Sequence, residues 1–231
     1  MDMPRLDDIS VVIPVREGSS RVRDKIYLPF GPGTSLLEWK ISQLLQIHPS
    51  DRIFISSDSE RVSKIAKNMG VAFLPRSKYL CDGHKATFSE VICGIVADLP
   101  TSFFAWVTVV VPLMRPSEYL DAFNAFLEHV CCQGSFDSLV TVNNLKDYLW
   151  QSGIPLNYQA NRNHTISQNL PDLFRVTNGL YMREKEATLR EGYFLGSRPF
   201  MHVVGKMSGI DIDDQEDYEM ALALKTVYST R

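Results

Sequence analysis

Residues 9–15 (ISVVIPV) form a near-continuous β-branched run, the pattern of a strand buried on both faces of a parallel sheet. A polar, cationic loop follows. Ser35 can cap a helix in which Leu37, Ile41, Leu44 and Leu45 recur at helical spacing, and residues 52–56 (RIFIS) return as a second strand. Asp58 or Ser59 caps the next helix, with Val62, Ile65, Ala66 and Met69 on one face and Gly70 as its stop; residues 71–74 read as strand three. From Thr87, the residues Val91, Ile92, Ile95 and Val96 make another helical stripe, and 104–111 is the most buried strand. Pro116 suits the first position of a helix carrying Tyr119, Leu120, Phe123, Phe126 and Leu127. This β-α alternation predicts right-handed crossovers and a three-layer α/β/α fold around a mostly parallel sheet, with ligands at the carboxyl ends of its strands.

After a strand at 138–142 (SLVTV) the pattern changes. Residues 145–178 are rich in Asn, Gln, Pro and aromatics, with Gly153-Ile154-Pro155 as turn chemistry. The chain then re-enters with 175–182, a helix over 184–191, a strand over 201–204, the segment Ile210-Asp211-Ile212-Asp213, and a closing helix over 215–228. With no internal repeat and no linker composition, the expectation is one domain, 1–231, with a protruding arm over about 143–174.

Composition narrows the function classes. The 24 Lys+Arg against 27 Asp+Glu leave a formal net charge of −3, without the surplus of cations that a nucleic-acid coat or polybasic membrane binder needs. The longest apolar stretch, 103–111, ends at Pro112 and falls short of the roughly 20 residues of a membrane helix. Acids at Asp2, Asp7 and Asp8 stand where a secretory signal carries a basic start, so a cytosolic location is expected. Cys81, Cys93, Cys131 and Cys132 form no CxxC pair and the five histidines no HExxH spacing, so zinc and disulfide chemistry are not indicated.

Two features carry candidate chemistry. The loop 16–25 (REGSSRVRDK) packs four cations around Gly18; a triphosphate needs such donors and backbone N–H groups that it can approach closely. The loop is neither a Walker loop nor GxGxxG, and it also reads as a solvated basic turn. In Asp211-Ile212-Asp213, residues i and i+2 of an extended segment face one way, so the two carboxylates can converge on Mg²⁺, a hard cation that takes one or two protein oxygens. Asp213 or Asp214 ahead of Gln215-Glu216-Asp217 is equally what a helix N-terminus looks like.

The residues IPVREGSSRVRDK resemble the N-terminal signature of the acylneuraminate cytidylyltransferases, IPARxGSxRxxxKN. Further segments are similar to later family motifs in the same order: FISSD at 54–58, LPRS at 74–77, Pro112-Leu113, DSLVTV at 137–142, SQNLP at 167–171, NGLY at 178–181 and IDID at 210–213. The resemblance implies a Rossmann-like nucleotidyltransferase that condenses CTP with a nonulosonic acid, giving CMP-sugar and pyrophosphate with Mg²⁺. It implies that Arg16, Gly18, Ser19, Ser20, Arg21 and Lys25 hold the triphosphate and stabilise the leaving pyrophosphate. Arg76, Ala86 and Thr87 then lie near the nucleoside, and Thr108, Gln168, Asn178 and Tyr181 face the sugar. Asp211 and Asp213 are implied to bind Mg²⁺, which would orient or acidify the attacking hydroxyl. The irregular arm is implied to cross to a second subunit in a homodimer.

Several positions depart from the pattern. Glu17 places an anion beside the phosphate loop, where it is expected to pair with Arg21 or Arg23 instead; Ser20 replaces a Lys and Ile26 an Asn. TVVVP at 108–112 stands for Gln-x-Thr-Ser-Pro, and Ile166 for a basic residue. Losing an amide and two hydroxyls should change which sugar is accepted. Alternative readings are a nucleotidyltransferase for another keto sugar acid such as Kdo, and a degenerate member that binds nucleotide without turnover.

Overall fold

The computed structural model describes residues 3–18 and 21–229. Seven strands form the central sheet: β1 (Ile9–Pro14), β2 (Ile53–Ser57), β3 (Ala72–Pro75), β4 (Phe103–Val107), β5 (Ser138–Leu145), β6 (Leu173–Glu184) and β7 (Pro199–Val203). Their order is β7-β5-β6-β4-β1-β2-β3, and every pairing is parallel except those of β6 with β4 and β5. The expected α/β/α architecture with a mostly parallel sheet is the one observed.

Strand alternation divides the core into two. Val11 and Ile13 of β1, with Ala105 and Val107 of β4, point to one face, covered by α1 (Leu36–Leu44), α2 (Glu60–Asn68), α4 (Pro116–Phe126) and α6 (Gln215–Ser229). Val12, Phe104 and Trp106 point to the other, covered by α3 (Phe88–Val96) and α5 (Lys185–Glu191). The helices begin where the sequence predicts. Ser35 and Thr87 close reciprocal capping boxes with Glu38 and Glu90, Ser59 accepts the Val62 amide, and Pro116 opens α4.

Two expectations shift. The apolar run 104–111 does not remain in the sheet, because β4 closes at Val107. Residues 108–114 turn across the strand ends with Val109, Val111, Leu113 and Met114 still buried, and their carbonyls find partners on α1 and the C-terminal segment instead of in a ladder. The β5–β6 ladder also runs out to the pair Leu145 and Leu173, taking the first three and the last two residues of the segment assigned to the arm. Residues 146–172 then leave the sheet, and a short hairpin pairs Trp150–Gln151 with Ile154–Pro155 through Ser152 and Gly153, both at positive φ. Among the described residues no helix is long and apolar enough to cross a membrane.

Candidate active site

The carboxyl ends of β1, β2 and β3 stand side by side: the Val15 amide donates to the Ser56 carbonyl and the Arg76 amide to the Ser57 carbonyl. That register brings Arg16 and Arg76 to one cavity of about 360 Å³, with Gly83, Ala86, Phe88 and Val91 on its walls. The Arg76 guanidinium is fixed by donation to the Val15 carbonyl (2.8 Å) and the Cys81 sulfur (3.1 Å). The Arg16 guanidinium lies directly over Gly83: a Cβ there would be 2.0 Å from Arg16 Nη1, so any side chain would displace it. Two guanidinium groups against apolar and aromatic walls suit a planar, polar-edged heterocycle.

Arg16, Arg76 and Ala86 line one cavity, so Arg16 stands beside the residues expected near the nucleoside and not only with the triphosphate loop to which the resemblance assigned it. Thr87 is next to the cavity in sequence, but its hydroxyl caps α3. Gly18 takes a left-handed turn (φ 78°) in the cationic loop, and Ser19 and Ser20 lie outside the described residues. Gly83 and Phe88 were missed by the sequence reading. The Asp82-Gly83-His84 turn was their one local signal.

Glu17 does not pair with Arg21 or Arg23. Its carboxylate accepts from the Tyr27 hydroxyl (2.5 Å) and the Ser59 hydroxyl (2.7 Å), and these bonds hold it below the usual carboxylate range. The Arg61 guanidinium stacks 3.5 Å over the Tyr27 ring behind them. Glu17 therefore faces a separate, more open cleft of about 660 Å³ that also carries Asp58, Glu60 and Asp82. That cleft also carries Arg61, Lys64 and Lys78, so its charge is mixed, whereas among the described residues the only charged ones lining the Arg16–Arg76 cavity are its two arginines.

The acid pair is built by the segment before α6. Ile212 is fully buried and its amide donates to the Val110 carbonyl (2.8 Å), which turns Asp211 and Asp213 away from the core. Asp213 Oδ1 pairs with Arg21 Nη2 at 2.6 Å, and the Lys25 ammonium donates to the Ile212 and Asp213 carbonyls. Loop cations and C-terminal acids are in direct contact in this structure. Burial lowers the Lys25 pKa, opposed by the charges of Asp213 and Asp211. The helix-terminus role falls to Asp214, whose carboxylate accepts the Asp217 amide (3.0 Å) while Asp217 accepts the amides of Asp213 and Asp214.

Asn178 joins this segment to β6. It sits at φ 57° in a bulge between Val176 and Tyr181, a left-handed conformation that Asn tolerates better than most residues. Its amide donates to Asp211 Oδ2 (2.8 Å), its side-chain oxygen accepts from the Tyr181 hydroxyl (2.7 Å), and its backbone carbonyl accepts from the Thr108 hydroxyl (2.6 Å). Three of the four expected sugar-facing residues are therefore joined through Asn178, which bonds Asp211. Gln168 is not, lying on an exposed turn of the arm. Tyr181 packs on Phe194 at 4.1 Å, and Phe194 on Tyr193 at 4.7 Å, an aromatic wall that the sequence reading did not single out.

Asp211 Oδ1 is buried and has no hydrogen-bond partner. Burial is the largest influence on this carboxyl, raising its pKa, and the nearby Asp213 raises it further. Among the described residues no three His, Cys, Asp or Glu side chains cluster to cage a metal. An orphaned carboxylate oxygen with a second carboxylate two residues away fits Mg²⁺, which completes its shell with phosphate and water.

The fold is a three-layer α/β/α one on a mostly parallel sheet, with the candidate site at the carboxyl ends of its strands. The solved CMP:2-keto-3-deoxy-manno-octonic acid synthetase complexed with CTP is similar to the chain with a TM-score of 0.69 at 15% identity, covering 95% of this chain and 98% of that one. A 4-diphosphocytidyl-2C-methyl-D-erythritol synthase from Anaerococcus prevotii gives 0.60 at 16% identity, covering 96% and 98%. The model of the family described as Cytidylyltransferase matches residues 10–225, and the chain belongs to that family. It is 25% identical to the N-acylneuraminate cytidylyltransferase of Escherichia coli O18:K1:H7 over 94% of this chain and 52% of the relative, so the chain spans about half the length of that protein. It is also 25% identical to a pseudaminic acid cytidylyltransferase of Campylobacter jejuni, over 94% of this chain and 95% of the relative.

Gly83→Ala is expected to push the Arg16 guanidinium out of the cavity without straining the backbone. Thermal unfolding should stay within about 2 °C of wild type, while calorimetric CTP affinity falls at least about tenfold. Unchanged affinity would remove Arg16 from the nucleotide site.

Proposed function

We propose that the protein is a Mg²⁺-dependent cytidylyltransferase that joins CTP to a nonulosonic, sialic-acid-like sugar acid in the cytosol. The observation that carries this reading is the placement of the Arg16–Arg76 cavity and the Asp211–Asn178–Tyr181 cluster on one edge of one sheet, with Arg21 and Lys25 of the loop after Arg16 bound to Asp213. Membership of the cytidylyltransferase family supports the nucleotide, and the named activities of the relatives support the acceptor class.

The sugar's hydroxyl attacks the α-phosphorus of CTP, a new P–O bond forms, and the bond to the β-phosphate breaks with its electron pair on the departing pyrophosphate. The hydroxyl proton is released to water. Asp211 and Asp213 would hold Mg²⁺, which when bound would supply neutralisation of phosphate charge. Arg16 and Arg76 hold the nucleoside end. Arg21 exchanges Asp213 for phosphate, a change its exposure makes cheap, since exposed ion pairs contribute only about 0–1 kcal/mol. Lys25 ties the loop to the carbonyls of residues 212 and 213, which keeps the acids facing the phosphates. Asn178 orients Asp211, and Tyr181 locks Asn178.

The proposal includes a homodimer. Val176 of β6 and Val203 of β7 are both paired with Val142, and Met201 with Val140, so all three share one sheet face, yet all three are exposed, as is Phe174. Trp150, Ile154, Leu156 and Ile166 of the arm are exposed as well. A second copy covering this apolar face would bring its own Gln168 toward the acceptor.

Pyrophosphate release should require CTP among the four nucleoside triphosphates, a nine-carbon keto acid over an eight-carbon one, and Mg²⁺. Release with UTP or GTP alone overturns the reading, and CTP binding without release supports a degenerate protein instead. Asp211→Ala and Asp213→Ala should each lower turnover by at least ~10²-fold. Sedimentation should show a dimer that Phe174→Glu with Val203→Lys converts to monomer; a monomeric wild type would refute the assembly.

A further inference from the structure

Lys40 is the one lysine on α1, and it is completely buried. Its ammonium nitrogen donates to the Val111 carbonyl (2.8 Å) and the Tyr119 hydroxyl (2.7 Å), lying 4.8 Å from the centre of the Tyr119 ring. Its neighbours on the helix act on the same stretch of chain. Gln43 donates to the carbonyls of Pro112 (3.0 Å) and Met114 (2.8 Å), and the Trp39 indole N–H to Pro112 (2.9 Å). Trp39, Lys40 and Gln43 of one helix thus hold three carbonyls of segment 108–114.

The other side of that segment holds the acceptor half of the site. The Val110 carbonyl receives the Ile212 amide between Asp211 and Asp213, and the Thr108 hydroxyl donates to the Asn178 carbonyl. The bulge carrying Asn178 packs so closely that a Cβ on Gly179 would lie 3.3 Å from both Val111 and Met114. A buried lysine is a costly way to fill space, since an apolar residue of the same length packs as well without the desolvation penalty. What it supplies is a long-reaching donor for a carbonyl that the end of β4 leaves without a ladder partner.

We infer that Lys40 is a positioning residue for the acceptor half of the site: its grip on Val111 sets segment 108–114, and through Val110 and Thr108 sets Asp211 and Asn178. The inference rests on the cytidylyltransferase reading for its kinetic consequence. The nucleotide half is independent of this chain of contacts, because Arg16 and Arg76 are placed by β1 and β3. Removing the amine should therefore separate the two halves, which a general loss of stability would not do.

The test is Lys40→Met in the full chain, a replacement of similar length without the donor. Acceptor kcat/KM should fall at least about tenfold while the CTP Kd changes less than about twofold. Amide exchange at Ile212 should accelerate at least about tenfold relative to Val15, whose amide bonds the Ser56 carbonyl in the nucleotide half. Proportional loss of CTP affinity and acceptor turnover, no effect on either, or Ile212 exchange rising only in step with Val15 would overturn the proposal. Should Lys40→Met fail to fold, Gln43→Leu removes the bonds to Pro112 and Met114 and must give the same separation. A wild type that accepts no sugar acid defeats the cytidylyltransferase reading, and the exchange contrast still decides the positioning role.

Discussion

The hydrogen bond from the Ile212 amide to the Val110 carbonyl joins two stretches of chain a hundred residues apart, and the acceptor half of the site depends on it. It is a β-like contact made where no strand is assigned. Because Ile212 is buried by it, Asp211 and Asp213 are forced outward together, and Asp211 meets Asn178 at the β6 bulge. The antiparallel insertion of β6 between β4 and β5 is what brings that bulge to the β4 end. The nucleotide half needs none of this, since its residues project from parallel strands in register with β1.

Electrostatics divides along the same line. The net charge of −3 conceals cations concentrated in the loop after β1 and acids before α6, and folding sets them against each other. The Arg21–Asp213 pair is largely exposed and contributes little to stability. Asp211 is different: half-buried, with one oxygen held by Asn178 and the other buried and unpartnered. An unpaired buried carboxylate oxygen is destabilising in a nucleotide-free protein, and that is the condition in which binding a cation contributes most.

Much of this was legible before folding. The ISVVIPV run, the Ser35 cap, the helical stripe from Thr87 and the Pro116 start each became the element they predicted, because local signals agree with tertiary burial at those positions. The i, i+2 spacing of Asp211 and Asp213 was also readable, and Ile212 confirms the side it faces. What failed was the end of β4. Val109 and Val111 are as buried as strand residues, so hydrophobic pattern alone cannot tell a ladder from a turn whose carbonyls are satisfied by Lys40 and Gln43 on another helix. Glu17 was misjudged for a related reason: its partners, Tyr27 and Ser59, are 10 and 42 residues away, and nearer cations hid them. Gly83 matters only because Arg16 crosses it, a contact that exists only once β1 and β3 have been placed on either side of β2.

The central claim is that one sheet edge carries a nucleoside cavity and a metal-binding acid pair as two halves of a single site. A crystal of the full chain grown with CTP and Mn²⁺, measured at the manganese edge, addresses both halves at once. The account predicts the cytosine ring between Arg16 and Arg76, with an anomalous peak at bonding distance from Asp211 Oδ1. A base seated instead in the cleft beside Glu17 and Asp58, or an anomalous peak remote from Asp211, would contradict it.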